Sequence, residues 1–229
     1  MKICLMMCGF LRNFKLTFPS LKTNLLDKYD VDIYYHGYPN NEGMDISIKG
    51  IESIYSPFSY NLVEYNEVKE DIHNHIDAGR FFSRKRPETK IESVISHFWN
   101  MKHVSGLVNK EYDVYLLTRP DIYWISSPSL EDLNLAKQGK VISPDTWDFK
   151  EVHPIAATIG FLMTNAENMN KYCEMYSKIG KYFDEGWTFH PETLNGKHFQ
   201  ECKFDMVIRN DYFQFYPPET ENYNERYNY

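Results

Sequence analysis

Residues 2–37 read KICLMMCGFLRNFKLTFPSLKTNLLDKYDVDIYYHG, and their pattern indicates the class of fold. It opens with Lys2–Cys8, which is apolar on both faces and therefore predicts a buried strand of a parallel sheet. Leu16–Leu26 follows with apolar residues at helical spacing. Val31–Tyr35 predicts a second strand that closes at His36. A strand, a helix and a second strand in this order indicate a parallel βαβ unit.

The segments beyond this unit extend the same α/β pattern. The clearest helix is predicted over Ile91–Asn109, where apolar residues recur at helical spacing, and VYLLT (114–118) predicts a buried strand. Strands are also predicted over 51–55, 61–65, 141–143, 159–164, 206–209 and 213–216, and helices over 165–179 and 191–202. Phe81–Thr89 is charged, and we expect a mobile connection there. These elements predict one α/β domain over residues 1–216, with a mixed, mainly parallel sheet flanked by helices, and a loosely held tail over 217–229.

Composition narrows the class of protein. The 25 Lys and Arg against 32 Asp and Glu give a net charge of −7, and the basic surface typical of nucleic-acid-binding proteins is not evident. The four cysteines form no CxxC pair for zinc, and a chain of 229 residues needs no disulfide framework, so reduced thiols and a cytoplasmic setting are expected. The apolar start lacks the features of a signal peptide, and no run of residues is long enough to cross a bilayer.

Candidate site residues follow the predicted strands, because ligands of an open parallel sheet bind beyond the carboxyl ends of its strands. The sequence contains neither GxGxxG nor GxxxxGK[ST], which disfavours dinucleotide-dependent dehydrogenases and P-loop NTPases. The candidates at this edge are Gly9, Phe10 and Arg12 after the first strand, His36 after the second, Arg119 and Asp121 after 114–118, and Asp145 and Asp148 after 141–143.

Four segments, in order, resemble a family of GT-A-like glycosyltransferases of bacteria and large DNA viruses, of the chlorella-virus and giant-virus type. MKICLMMCGFLRNF (1–14) resembles the family's I-x-[IL]-x-x-x-G-x-x-R-x-F start, and YDVDIYYHGY (29–38) resembles its second strand. KEYDVYLLTRPDIYW (110–124) resembles its Y-D-x-[VI]-[IL]-x-x-R-x-D element, and HPETLNGKHFQE (190–201) resembles its H-P-E-x-x-L helix start. The resemblance implies a GT-A-like domain that transfers a sugar from a nucleoside-diphosphate sugar, with a UDP-sugar preferred, to a glycan hydroxyl.

The resemblance also implies where the nucleotide-sugar binds. Its contacts would be Gly9, Phe10, Arg12, His36, Arg119, Asp121 and His190. Glycine permits close backbone approach, and the guanidinium of Arg12 would give charge-assisted hydrogen bonds to phosphate oxygens. The alternative role of Arg12 is a surface salt bridge at a strand end.

Arg119-Pro120-Asp121 takes the place of the Asp-x-Asp motif that GT-A enzymes usually carry, whose carboxylates bind a divalent ion on the diphosphate. Asp121 is therefore the candidate ligand for Mn²⁺ or Mg²⁺, which favour oxygen ligands. Arg119 replaces the first acid, and it would itself supply positive charge. The sequence leaves metal dependence open, and Asp121 has the alternative role of capping the following turn.

An inverting transferase also needs a carboxylate that takes the acceptor proton. Asp148, Asp145 and Glu192 are the candidates. The two aspartates are preferred, with Asp148 slightly ahead, because they follow a strand end and flank Trp147, whose ring would stack on a sugar. Glu192 has the alternative role of favouring a helix N-terminus by its charge. Four histidines are interpreted as structural or solvent-exposed, which is the alternative role of His36: they are His36, His97, His103 and His198. The rival function is a non-catalytic nucleotide- or glycan-binding module of the same fold, suggested by the missing acid at position 119.

Overall fold

The computed structural model describes residues 1–11, 14–38, 52, 55–74, 78–85, 90–145 and 158–214. The described strands are β1 (Lys2–Phe10), β2 (Asp30–Tyr38), β3 (Ser59–Leu62), β4 (Val114–Thr118), β5 (Tyr123–Trp124), β6 (Val141–Ser143), β7 (Phe161–Thr164), β8 (Met206–Ile208) and β9 (Phe213–Gln214). The described α-helices are α1 (Phe14–Leu21), α2 (Tyr65–Asn74), α3 (Ile91–Leu107), α4 (Leu130–Lys137), α5 (Ala166–Cys173), α6 (Met175–Asp184) and α7 (Pro191–Cys202).

Seven of these strands form one sheet, in the order β3-β2-β1-β4-β7-β6-β8. β1 pairs in parallel with β2 and β4, β2 with β3, and β6 with β8, whereas β7 runs antiparallel to both β4 and β6. The predicted mixed, mainly parallel sheet is confirmed. Because β7 reverses direction between them, β4 and β6 point the same way, and the carboxyl ends of β1, β2, β4 and β6 meet at one edge.

Helices cover both faces of the sheet, as predicted. Alternate residues of a strand point to opposite faces, and β1 is buried on both. Cys4, Met6 and Cys8 pack in a core with residues of α3, α5, α6 and α7, and the intervening Ile3, Leu5 and Met7 pack in a second core with residues of α1 and α4. This double burial is the reason why β1 is apolar throughout. No helix in the described parts of the chain is long and apolar enough to span a membrane.

The first two strands extend further than predicted. β1 runs through Gly9 to Phe10, and β2 runs through His36 and Gly37 to Tyr38. The two ends pair in register, with Gly9 opposite Gly37 and Phe10 opposite Tyr38. Backbone pairing between distant segments therefore continues past the glycines at which the local pattern predicts an end.

Three other local predictions also differ from the structure. Phe81 does not lie in a mobile connection: it is fully buried in a 3₁₀ helix (Ala78–Arg84), and its ring stacks on Phe189 with the centroids 4.3 Å apart. The predicted helix over 165–179 is two helices, α5 and α6, and the predicted strand over 61–65 ends at Leu62.

Other predicted elements lie partly or wholly outside the described residues. The predicted strand over 51–55 lies largely outside them, and the Ser56 N–H donates to the Glu52 carbonyl at 3.1 Å, which is a helical contact. Residues 86–89, residues 215–216 and the predicted tail over 217–229 also lie outside the described residues.

Candidate functional site

A cavity of about 170 Å³ opens at the edge of the sheet where β1 and β4 end. Gly9 and Phe10 at the end of β1 form one part of its wall, and Arg119 and Asp121 after β4 form another. The amino-terminal half of α3 and Pro191, the first residue of α7, complete the lining together with Ile159. The structure thus brings four of the predicted site residues into one cavity, at the edge where a parallel sheet binds its ligands.

Two glycines determine the shape of the β1 end of the cavity. Gly9 has a φ of +102°, a left-handed conformation that favours glycine. Gly37 lies opposite it on β2, and a Cβ on Gly37 would come 2.0 Å from the Gly9 carbonyl oxygen. The Tyr35 hydroxyl donates a hydrogen bond to that same oxygen at 2.7 Å. The backbone at the end of β1 is therefore held in place from the β2 side.

Arg119 and Asp121 form a bidentate ion pair in the cavity wall. Nε of Arg119 donates to Oδ1 at 2.9 Å, and Nη2 donates to Oδ2 at 2.5 Å. Both side chains are mostly buried, with exposed fractions of 28% for Arg119 and 15% for Asp121. The intervening Pro120 is anchored because its carbonyl accepts a hydrogen bond from the Thr17 hydroxyl at 2.6 Å. Planar fork geometry of this kind gives both orientation and strength to an arginine–carboxylate pair.

This ion pair does not fit a divalent ion held by Asp121. Each carboxylate oxygen of Asp121 already accepts a hydrogen bond from the Arg119 guanidinium. Within the described ranges, no group of three or more His, Cys, Asp and Glu side chains is arranged to hold a metal ion. Arg119 is the positive partner of Asp121 in this structure. The two side chains therefore form an arginine–carboxylate pair, and they do not form the metal site that comparison with the Asp-x-Asp motif suggests.

A buried polar network supports the α3 wall from behind. His36 and Asn100 are joined by a 2.7 Å hydrogen bond between Nδ1 and Oδ1, and Nδ2 of Asn100 donates to the Ser96 carbonyl at 2.7 Å. The Tyr38 hydroxyl lies 2.6 Å from Oγ of Ser96. Because an amide oxygen only accepts hydrogen bonds, His36 donates through Nδ1. Burial lowers the pKa of His36 to about 4, which keeps the ring neutral at pH 7.

His36 therefore lies behind the cavity wall and does not line it. It is 1% exposed, and its ring stacks on His103 with the centroids 5.1 Å apart. His36 contacts Asn100, which does line the cavity, and this position matches the alternative structural role of His36. Its contact with a nucleotide-sugar stays a prediction.

His97 lines the cavity, although the sequence suggested a structural or solvated residue. Burial lowers the pKa of His97 to about 3, and the nearby Arg119 charge lowers it further, whereas Asp121 and a hydrogen bond to the Ile159 backbone act in the opposite direction. A neutral histidine thus lies beside the ion pair. The sequence did carry a sign of this role, because polar residues recur along one face of the apolar helix α3 at spacings of i, i+3, i+4 and i+7. They are Ser93, Ser96, His97 and Asn100, and all four line the cavity.

The remaining predicted site residues do not line the cavity or lie outside the described residues. Asp145 follows β6 at the same sheet edge, where its N–H donates to Oδ1 of Asn210 at 2.8 Å. His190 is buried at the N-cap of α7, and Glu192 lies directly after Pro191, but neither lines the cavity. Arg12 and Asp148 lie outside the described residues.

The fold is similar to that of mouse xyloside xylosyltransferase 1 in its apo form. The TM-score is 0.53 with 10% sequence identity, and the alignment covers 91% of this chain and 85% of the xylosyltransferase chain. No protein-family model matches the sequence, and no curated protein matches it. At this identity the likeness concerns the fold alone. The predicted GT-A-like α/β fold is confirmed, whereas the bacterial and viral family rests on the sequence motifs only.

Proposed function

We propose that this protein is a glycosyltransferase that moves a sugar from a nucleoside-diphosphate sugar, a UDP-sugar first among them, to a hydroxyl of a glycan acceptor. One observation carries the proposal: a cavity at the carboxyl edge of β1 and β4 contains an oriented arginine beside the polar face of α3, in a GT-A-like fold. A pocket with a few convergent polar groups at this edge is where an open α/β sheet binds its ligand.

The size of the cavity limits what it holds. Its volume of about 170 Å³ is smaller than the ~300–1,000 Å³ of pockets that enclose drug-sized ligands. A complete nucleotide-sugar therefore does not fit inside it. The cavity would enclose one part of the donor, and the remainder would lie outside it along the sheet edge.

The reaction is a displacement at the anomeric carbon. The bond from that carbon to the diphosphate oxygen breaks, its electron pair stays on the diphosphate, and the acceptor oxygen forms the new bond. The guanidinium of Arg119 carries a positive charge in the cavity wall, and it would stabilise the developing negative charge through charge-assisted hydrogen bonds. In this proposal, the positive charge that stabilises the diphosphate comes from a side chain of the protein, Arg119.

The acceptor proton needs a carboxylate in an inverting reaction. Asp148, Asp145 and Glu192 remain the proposed candidates. Asp145 follows β6, whose carboxyl end lies at the same edge of the sheet as the ends of β1 and β4, and Glu192 is adjacent in sequence to the lining residue Pro191. Turnover of Asp145→Asn, Asp148→Asn and Glu192→Gln at saturating donor separates them, because loss of the base lowers turnover while donor binding persists.

The test of the whole proposal is a transfer and donor-hydrolysis assay with UDP-, GDP- and TDP-sugars, combined with calorimetry of donor binding. Arg119→Lys keeps the charge but loses the fork, and we expect a loss of turnover of about 10²-fold or more. Arg80→Lys is the matched control, because Arg80 also pairs with an aspartate, Asp184, outside the cavity lining. If the wild type neither binds nor turns over any donor of the panel, the proposal is wrong.

A second candidate is a non-catalytic module that binds a nucleotide or a glycan. The observation that favours it is the ion pair itself, because Arg119 stands at the position of the first acid and neutralises the second. This candidate predicts that a nucleotide-sugar binds, while neither hydrolysis nor transfer occurs with or without Mn²⁺.

A further inference from the structure

The segment that follows β4 faces the cavity on one side and α1 on the other, because burial alternates along residues 119–124. The cavity side carries Arg119 and Asp121, which are partly exposed and line the cavity. The opposite side is buried, and it consists of Pro120, Ile122 and Trp124. Its two larger side chains pack in the core that includes residues of α1. The position of the ion pair in the cavity therefore depends on how this segment is held against α1.

Three polar side chains bind the backbone of this segment. The Thr17 hydroxyl donates to the Pro120 carbonyl at 2.6 Å, and Oγ of Ser20 accepts from the Trp124 N–H at 2.9 Å. Nδ2 of Asn24, in the π-helical turn that follows α1, donates to the Trp124 carbonyl at 3.0 Å. The spacing of i, i+3 and i+7 places these three side chains on one helical face. That face holds the segment at both of its ends.

Thr17 makes the contact that is nearest to the ion pair. Pro120 separates Arg119 from Asp121, and a proline has a backbone carbonyl but no N–H. The backbone of Pro120 can therefore be held by a hydrogen bond only through its carbonyl, which Thr17 binds. Thr17 is 1% exposed and Pro120 is buried, so solvent has little access to this hydrogen bond.

The direction of the Thr17 hydroxyl is unusual for a threonine within a helix. Such a hydroxyl commonly donates to a carbonyl of the preceding turn. The Thr17 hydroxyl is 3.3 Å from the Phe14 carbonyl but only 2.6 Å from the Pro120 carbonyl. Because a hydroxyl has a single proton, the shorter contact is the stronger hydrogen bond. The hydroxyl thus connects two elements of the fold.

We propose that Thr17 is a positioning residue of the transfer reaction. Through the Pro120 carbonyl it fixes the turn on which Arg119 and Asp121 form their bidentate pair, so the guanidinium is oriented before the donor binds. This inference rests on the proposed glycosyl transfer, in which Arg119 stabilises the leaving diphosphate. Prior orientation matters there, because a misplacement of about 1 Å can cost about 10²-fold in rate.

The first test needs no ligand. NMR spectra of the arginine Nε–H groups identify the signal of Arg119 by its loss in Arg119→Lys. Hydrogen exchange of this group reports how firmly the pair is held, since Nε donates to Asp121. Thr17→Val has nearly the same shape but no hydroxyl, and we expect exchange at pH 7 to become about tenfold faster, as for loss of one hydrogen bond. Thr17→Ser should restore slow exchange. Equal rates in the wild type and Thr17→Val would overturn the inference and leave the proposed glycosyl transfer intact.

The second test measures turnover and donor affinity with the same nucleotide-sugars as the transfer assay. Thr17→Val should lower kcat about tenfold or more, with donor affinity by calorimetry nearly unchanged, because Arg119 acts on charge that develops in the transition state. Thr17→Ser should recover most of the turnover. Wild-type kcat in Thr17→Val would overturn the inference. If Thr17→Val does not fold, Thr17→Ala takes its place, since it leaves room for a water molecule beside the Pro120 carbonyl.

Thr164→Val is the matched control for the loss of a buried threonine hydroxyl. Thr164 is fully buried in β7, and its hydroxyl has no hydrogen-bond partner among the described residues. It pairs with Tyr115, near the start of β4, and so lies away from the cavity edge. We expect wild-type turnover and wild-type exchange of the Arg119 Nε–H in this variant.

A double variant separates positioning from a general structural role. If Thr17 acts only through Arg119, adding Thr17→Val to Arg119→Lys should lower turnover little further. Full multiplication of the two single losses would refute the inference, because Thr17 would then act independently of the arginine. Absence of wild-type turnover with every donor would refute the proposed function, and the positioning role with it, whatever the exchange rates are.

Discussion

The α-carbon of Gly37 lies so close to the carbonyl of Gly9 that a Cβ on Gly37 would be 2.0 Å from the oxygen and 2.9 Å from the carbonyl carbon. Such a Cβ would also come 2.5 Å from the Tyr35 hydroxyl, which itself binds the Gly9 oxygen. The close approach occurs at the carboxyl end of the β1–β2 pair, beside the cavity. The backbone geometry at this end of the site therefore requires a residue without a Cβ at position 37.

Gly37→Ala is expected to destabilise the protein by at least about 1–3 kcal/mol, because the obstacle is backbone and cannot rotate away. The measurement is urea unfolding at pH 7.5. Gly106→Ala is the matched control, since a Cβ on Gly106 meets no atom within 4 Å and alanine favours the helix α3 by about 1 kcal/mol. Equal unfolding midpoints for the two variants would contradict the packing described for Gly37.

Asp121→Asn is expected to affect turnover more than stability. The amide keeps the shape of the carboxylate, but its NH₂ group cannot accept a hydrogen bond, so one of the two bonds from Arg119 is lost and the guanidinium loses its fixed orientation. We expect turnover to fall by about 10²-fold, in line with the loss of one oriented charge-stabilising group. The unfolding free energy should fall by no more than about 1–3 kcal/mol, because only one hydrogen bond of the pair is lost. A variant with wild-type turnover and lowered stability would assign the pair a structural role only.

Local patterns predicted the parts of this fold that local chemistry determines. The apolar run of β1 and the helical spacing of α3 are properties of adjacent residues, and both elements were found. The continuation of β1 past Gly9 depends on pairing with Gly37, and the burial of Phe81 depends on Phe189. These contacts join residues far apart in the chain, so no local pattern indicates them.

The candidate site likewise contains features that adjacent residues indicate and features that depend on contacts within the folded structure. Sequence placed Arg119 and Asp121 correctly at a strand end, but their mutual pairing depends on the turn at Pro120. His97 was missed because a single histidine in an apolar helix is usually structural. The polar stripe that it forms with Asn100 along α3 was the available indication.

Removal of divalent ions is expected to leave donor binding and turnover largely intact. Both oxygens of Asp121 accept hydrogen bonds from Arg119, so a metal ion would have to displace the guanidinium. The measurement compares initial rates after dialysis against EDTA with rates after restoration of Mn²⁺ or Mg²⁺. A strong stimulation by Mn²⁺ that Asp121→Asn abolishes would show that Asp121 binds the ion after all.

Acidification below pH 6.5 is expected to destabilise the protein through its buried neutral histidines. Burial lowers the pKa of His36 to about 4 and that of His97 to about 3, whereas both titrate near 6.5 in an unfolded chain. At pH values between the folded and the unfolded pKa, the unfolded chain binds protons at these two histidines, whereas the folded protein does not. The stabilisation is therefore fully present above pH 6.5 and is lost as the pH falls, by up to about 1.4 kcal/mol per pH unit for the fully buried His36.

Urea unfolding free energies at pH 7.5, 6.0 and 5.0 test this linkage. His36→Gln keeps an N–H that can donate to Asn100 but removes the titration, so its stability should depend less steeply on pH than that of the wild type. Comparison of slopes, and not of absolute stabilities, separates the lost titration from any loss of packing against His103. Carboxylates that titrate in the same range contribute equally to both slopes and cancel in the difference. Parallel slopes for the two proteins would mean that His36 protonates as readily in the folded protein as in the unfolded chain, which its burial does not allow.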